Sequence, residues 1–134
     1  MIVLDSSFLV AFHNRDDVHH DSAVGMMDRM IAGEWESAAL LEYVFLEVVT
    51  VLRLRLDLVT ATTVGDTLLR AREVEFVPCS EVFLEAFEVF RNEEAAALSF
   101  VDAAVTAVAR RRSPGWVATF DRDFADLDGV TVVD

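Results

Sequence analysis

The chain contains no lysine. All eleven of its basic residues are arginine, set against 24 aspartates and glutamates, and the formal charge is −13 over 134 residues. Gripping nucleic acid by bulk attraction is thereby excluded, because that mode neutralises phosphates with many Lys and Arg. The single cysteine, Cys79, excludes an internal disulfide and any cysteine-based zinc site, and agrees with a reducing, cytoplasmic setting. Five glycines, none of them clustered, leave no Gly-rich phosphate loop. Long hydrophobic runs are missing too. The longest uncharged stretch, Ser6 to Asn14, has nine residues, against the roughly 20 needed to cross a bilayer. With no basic segment before it, a soluble chain with no membrane role is expected.

What is present is apolar material in quantity: 54% hydrophobic residues in 14.9 kDa. That is ample for one core, so a single domain over residues 1–134 is expected. A dense acidic surface without lysine fits solvation in concentrated salt, where repulsion is screened within about 3 Å at 1 M. A salt-loving host is the corresponding expectation, with an ordinary acidic protein as its alternative.

Short apolar runs alternate with helical periodicity. Ile2 to Leu4 reads as a buried strand, and Ser6 and Ser7 open a helix through Phe12. Asp16 to Ile31 carries apolar residues at helical spacing and ends at Gly33. A strand follows at Glu36 to Leu40, then a largely buried helix over Leu41 to Leu56. The next helix is capped by Thr60 or Thr62 and runs to about Arg72. Val74 to Pro78 is a strand, Ser80 to Asn92 an amphipathic helix, and Ser99 to Arg111 an apolar helix stopped by Pro114 and Gly115. Strands at Trp116 to Phe120 and Val130 to Val133 close the chain. Such alternation predicts an α/β fold with a mainly parallel sheet of four to five strands, and ligands of such sheets bind beyond the carboxyl ends of the strands.

Four carboxylates stand alone in runs that should be dry. Asp5 is the one charge in MIVLDSSFLV, Glu47 in YVFLEVVTVL, and Asp102 in AAALSFVDAAVTAVA, while Asp121 ends the strand that begins at Trp116. A carboxylate taken out of water costs several kcal/mol or shifts its pKa until neutral, unless a cation or several donors answer it. Convergence of all four would make a divalent metal site. Oxygen donors without His or Cys suit Mg²⁺ or Mn²⁺, and such ions act on phosphodiesters by activating a water and stabilising the leaving oxygen. Metal binding is therefore assigned to Asp5, Asp102 and Asp121, and a ligand or water-orienting role to Glu47. Ser6, Ser7 and Thr119 are candidates to hold these carboxylates by hydrogen bonds. Arg53, Arg55 and Arg122 lie close in sequence to these acids and are candidates for local contact with nucleic-acid phosphates, RNA-binding residues if the substrate is RNA.

Each acid also has a plain structural reading. Asp5 would cap a helix, Asp102 would join Ser99 as a cap, Asp121 would belong to a turn, and Glu47 would be a solvated point on its helix. Asp123 is the weaker ligand because it falls in the turn, and Glu42 is expected to be exposed. His19 and His20 are adjacent, so they face different ways on a helix and are assigned a capping or surface role. Cys79 has no base beside it and is not a nucleophile.

The runs I-V-L-D-S-S, F-L-E-V-V-T-V-L, L-S-F-V-D-A-A-V-T-A-V-A and V-A-T-F-D-R-D-F, in that order along the whole chain, resemble the PIN domain, specifically the VapC-type toxins of toxin–antitoxin pairs. His20 followed by Ala23 resembles the opening of that family's second helix. The resemblance implies a PIN-like three-layer α/β/α sandwich and a Mg²⁺-dependent endoribonuclease. It further implies a homodimer, inhibition by a small antitoxin protein whose tail enters the acidic groove, and catalytic roles for Asp5, Glu47, Asp102 and Asp121. Two alternatives stay open, an inactive PIN-like subunit that binds a partner peptide and a housekeeping RNA-processing nuclease. A phosphorylatable receiver domain fits less well, as it needs paired acids after the first strand and a lysine.

Overall fold

Five short parallel strands form the centre of the molecule, in the order β3-β2-β1-β4-β5. The computed structural model describes residues 1–134. Along the chain they are β1 (Ile2–Leu4), α1 (Ser6–His13), α2 (His20–Ile31), β2 (Ala38–Leu41), α3 (Glu42–Arg55), α4 (Leu58–Arg70), β3 (Val74–Val77), α5 (Cys79–Asn92), α6 (Phe100–Ala109), β4 (Trp116–Ala118), a 3₁₀ turn (Arg122–Phe124) and β5 (Thr131–Val133). The helices cover the sheet as a three-layer α/β/α sandwich, as expected.

The inner strands β1 and β2 are buried at every position, which is why they read as unbroken apolar runs rather than alternating ones. Phe8, Leu9, Val44, Val48, Leu52, Val105 and Phe124 join them in one continuous core. Burying each such side chain contributes about 1.5–3 kcal/mol. Gly115, at φ +75°, sets the start of β4: a Cβ there would overlap the Gly129 carbonyl, and the Gly115 carbonyl accepts from Thr131 N–H at 2.8 Å to begin β5.

The strand order reverses at β1. From β1 the chain moves outward to β2 and then β3, and it returns on the other side of β1 with β4 and β5. A crevice opens at such a switch point, beyond the carboxyl ends of the two strands. Asp5 follows β1 directly, and Thr119 to Asp121 follow β4.

Several boundaries differ from the sequence expectation, each for a local reason. The second helix starts at His20, not Asp16, because side-chain oxygens of Asn14 and Asp17 take the amides of Asp16 and His19 and hold residues 14–19 in turns. The fourth helix is capped by Asp57, whose Oδ1 accepts from Thr60 N–H at 2.6 Å, so neither Thr60 nor Thr62 is the cap. Helix α5 begins at Cys79, and its amide is met by Glu42 Oε1 at 2.9 Å from α3. Glu42 is thus half-buried and occupied, not the exposed acid expected.

Candidate metal centre

Asp5 is 2% exposed and sits where β1 turns into α1. Two hydroxyls donate to the same oxygen, Oδ2: Thr119 Oγ1 at 2.6 Å and Ser7 Oγ at 2.8 Å. Each hydroxyl has one hydrogen, so the 3.1 Å approach of Ser7 Oγ to Thr119 Oγ1 is a contact and not a further bond. Their lone pairs serve the other strand end. Ser7 Oγ accepts from Phe120 N–H at 2.9 Å, and Thr119 Oγ1 accepts from Asp121 N–H at 3.0 Å. The three side chains fix the ends of β1 and β4 to one another.

Glu47 reaches the same place from α3, where Ser6 Oγ donates to its Oε1 at 2.6 Å. Asp102 comes from the first turn of α6. It forms a capping box with Ser99: Asp102 N–H donates to Ser99 Oγ at 3.1 Å and Ser99 N–H to Asp102 Oδ2 at 3.2 Å. The capping reading and the groove reading of Asp102 are therefore both met by one side chain, since a carboxylate uses one oxygen for the cap and keeps lone pairs for other partners.

Asp5, Ser6, Ser7, Glu47 and Asp102 line one open groove of about 350 Å³, together with Val10, Asp17, His19, Val51, Arg55, Phe120 and Asp121. One oxygen each from Asp102, Asp121 and Asp123 lies within 4.8 Å of the others, close to the roughly 4 Å between opposite ligands of an octahedral Mg²⁺. The sequence ranked Asp123 below the others; its N–H donates to Asp121 Oδ1 at 2.9 Å, and that turn carries its own carboxylate alongside.

A PIN domain family model matches residues 2–130. The chain belongs to the PIN domain family. Among solved structures, this PIN domain is similar to VapC20 of Mycobacterium tuberculosis, described as a sarcin–ricin loop cleaving toxin, at 26% identity over 93% of each chain with a TM-score of 0.77. It shares its fold with VapBC2 of Rickettsia felis, solved bound to a DNA fragment from their promoter, at 14% identity over 99% of this chain and 98% of that one, TM-score 0.71. It is also similar to PAE2754 of Pyrobaculum aerophilum, at 25% identity over 98% of this chain and 88% of that one, TM-score 0.55. No curated protein sequence matches the chain.

Electrostatics in the PIN groove run against ionisation. Burial raises the Asp5 carboxyl above its usual value; hydrogen bonds from Thr119, Ser7 and the Ser6 backbone pull it down, and the charge of Glu47 pushes it up again. Asp102 is pushed up to about 6, by burial first and then by the charges of Asp5 and Asp121, with the Ser99 bonds opposing. Desolvated carboxylates that repel one another are held together at a cost. A hard divalent cation removes that cost, and the all-oxygen donor set fits Mg²⁺ or Mn²⁺.

The three arginines singled out from the sequence part company. Arg55 lines the carboxylate groove, whereas Arg53 lines a separate groove between α3 and α4 and does not face the carboxylates. Arg122 is exposed on the 3₁₀ turn. His20 is structural, its Nδ1 lying 2.8 Å from the Ala11 carbonyl. His19 is exposed at the N-cap position of α2, as expected, and its ring also stacks on Phe120 at 4.4 Å, so that both line the groove. The signal for it was slight, because residues 14–19 have no periodicity to assign a face.

Proposed function

We propose that this PIN domain is a Mg²⁺- or Mn²⁺-dependent endoribonuclease, the toxin of a VapBC-like toxin–antitoxin pair. The observation that carries the reading is the convergence of Asp5, Glu47, Asp102 and Asp121, from β1, α3, α6 and the end of β4, on one open groove. The likeness to VapC20 over nearly the whole chain supports RNA as substrate.

Asp5, Asp102 and Asp121, with Asp123 beside them, would hold the ion, and Glu47 would serve as a further ligand or orient the attacking water. When bound, such an ion lowers the pKa of a water and neutralises charge developing on the phosphate. Glu47 keeps Oε2 free while Ser6 fixes Oε1, so that oxygen is placed to orient a water and take its proton. Thr119 and Ser7 hold Asp5 in a single orientation, which keeps the carboxylates in register before substrate arrives. Arg55 offers the groove its one guanidinium for a phosphate oxygen.

The surface supports partners. Leu58 and Leu69, both exposed, line an apolar groove of about 370 Å³ between α3 and α4, and Val59 beside them is 74% exposed. A small antitoxin would inhibit by entering the acidic groove itself. Phe83, Leu84, Phe87 and Phe90 are exposed along α5, which supports a homodimer. No helix is long and apolar enough to cross a membrane.

The test is cleavage of a mixed structured RNA in concentrated KCl with Mg²⁺ or Mn²⁺, by the purified chain and by Asp102→Asn. Metal-dependent cutting by the wild type alone is expected. No cutting by a folded, antitoxin-free wild type would overturn the nuclease reading in favour of a binding module.

A further inference from the structure

His19 and Phe120 are the two rings in the carboxylate groove. Their centroids are 4.4 Å apart and their planes differ by 4°. Both rings are fixed through their backbones. His19 N–H donates to Asp17 Oδ1 at 2.8 Å, and its carbonyl accepts from Ala23 N–H at 2.9 Å to open α2. Phe120 N–H donates to Ser7 Oγ at 2.9 Å, the same hydroxyl that holds Asp5, and Asp121 follows it directly in the chain. Phe120 is half-buried and covers one face of the imidazole; His19 is exposed, so the other face is open.

The groove also poses a problem of affinity. It is lined by Asp5, Asp17, Glu47, Asp102 and Asp121 against Arg55 alone, in a chain of charge −13. A polyanion is not retained there by counterion release, which needs several Lys or Arg contacts and fades in salt. Stacking of a base on an aromatic face needs no charge and is worth on the order of tenfold in affinity per base. It also selects unpaired bases, since a base inside a helix has no free face.

We propose that the His19–Phe120 pair is a stacking platform for one unpaired nucleobase of the RNA, next to the phosphate held over the carboxylates. This rests on the ribonuclease reading above. His19 is then a positioning residue whose ring, rather than its proton, does the binding, and the preferred substrate is a loop or single strand rather than a duplex.

The experiment compares two probes by fluorescence anisotropy, with Ca²⁺ in place of Mg²⁺ and RNA integrity checked on a gel. One is a short adenine-rich single-stranded RNA; the other is the same ribose–phosphate chain without bases. The wild type is expected to prefer the base-bearing chain by about tenfold. His19→Ala should lose most of that margin, His19→Phe should keep it, and all three should bind the abasic chain alike. In cleavage, His19→Ala should raise KM and leave kcat unchanged. A full margin in His19→Ala, or none in the wild type, overturns the platform and leaves the pair as a clasp for residues 14–19 or a seat for a partner peptide. If pooled RNA is still cut with metal in that case, the platform falls alone. If the wild type neither cuts RNA nor binds either probe, the ribonuclease reading falls with it.

Discussion

Thr119 Oγ1 donates to Asp5 Oδ2 at 2.6 Å, joining the ends of two parallel strands that lie 114 residues apart in sequence. Thr119 is fully buried, and the same oxygen accepts the amide of Asp121. One hydroxyl thus holds the Asp5 carboxylate and the backbone that carries Asp121. Thr119→Val keeps the shape and removes both bonds, leaving Asp5 Oδ2 with Ser7 alone and the half-buried Asp121 N–H without its acceptor. A loss of about 2 kcal/mol in urea unfolding is expected, with a fall in cleavage of about 10- to 100-fold. Thr119→Ser should recover most of each. Unchanged cleavage by Thr119→Val would show that Asp5 needs no such support.

Asp102→Asn separates the two tasks of Asp102. Its amide oxygen still accepts from Ser99 N–H, so the capping box survives, while the charge that repels Asp5 and Asp121 is gone. Cleavage should be abolished, and the metal-free melting temperature should stay level or rise by a few degrees. A large drop in melting temperature would mean that the carboxylate is structural first.

Metal-free stability should depend on pH in the direction opposite to that of a salt-bridged acid. Asp102 moves from 3.8 to about 6 and Asp5 also moves upward, so between about pH 4 and 6 the native state binds more protons than the unfolded chain. Stability is therefore fullest below pH 4 for these groups and is lost as pH rises through 6. Divalent ion binds the ionised form, so its affinity, and cleavage with it, should rise over the same interval. Melting curves with and without Mg²⁺ at pH 4.5, 6 and 7.5 check both signs. Stability that rises through this window in EDTA would contradict the assignment.

The layers and the carboxylates were legible in the sequence for the same reason. Strand β1 is buried on both faces and α3 is largely apolar, so both appear as apolar runs in which Asp5 and Glu47 stand out by contrast. Asp102 stood out likewise, and its two readings, groove acid and cap beside Ser99, both hold. Contrast fails where polarity is ordinary. Residues 14–19 are polar, and their course is set by side-chain bonds to Asn14 and Asp17 that leave no periodic trace, so His19 could be read as a cap or surface residue but not as a ring facing the groove. Arg53 and Arg55 look equivalent on paper. Two residues apart on α3, they lie about 200° round the helix, and only Arg55 lines the groove of the carboxylates.

Glu42 and Glu47 provide a control on one helix. Glu42 meets the first amide of α5 at 2.9 Å and lies outside the carboxylate groove. Glu42→Ala should cost about 1 kcal/mol, as the loss of a helix cap does, and leave specific activity unchanged. Glu47→Gln should reverse the pattern, with stability kept and cleavage lost. Equal loss of activity in both variants would move the chemistry away from the Ser6–Glu47 corner.

A charge of −13 with no lysine leaves two kinds of repulsion in this molecule, and salts should separate them. The groove acids are few, convergent and partly desolvated, so a divalent ion should relieve them at low concentration and then saturate. The remaining acids are spread over the surface, and only bulk salt shortens their reach, from about 10 Å at 0.1 M to about 3 Å at 1 M. The melting temperature should accordingly rise by several degrees between about 0.1 and 1 M KCl, in the wild type and in Asp102→Asn alike. The saturable rise with Mg²⁺ in dilute buffer should appear in the wild type only. A melting temperature indifferent to KCl would remove the case for a salt-loving host, whereas an Asp102→Asn protein that responds to Mg²⁺ as the wild type does would place the ion away from the groove.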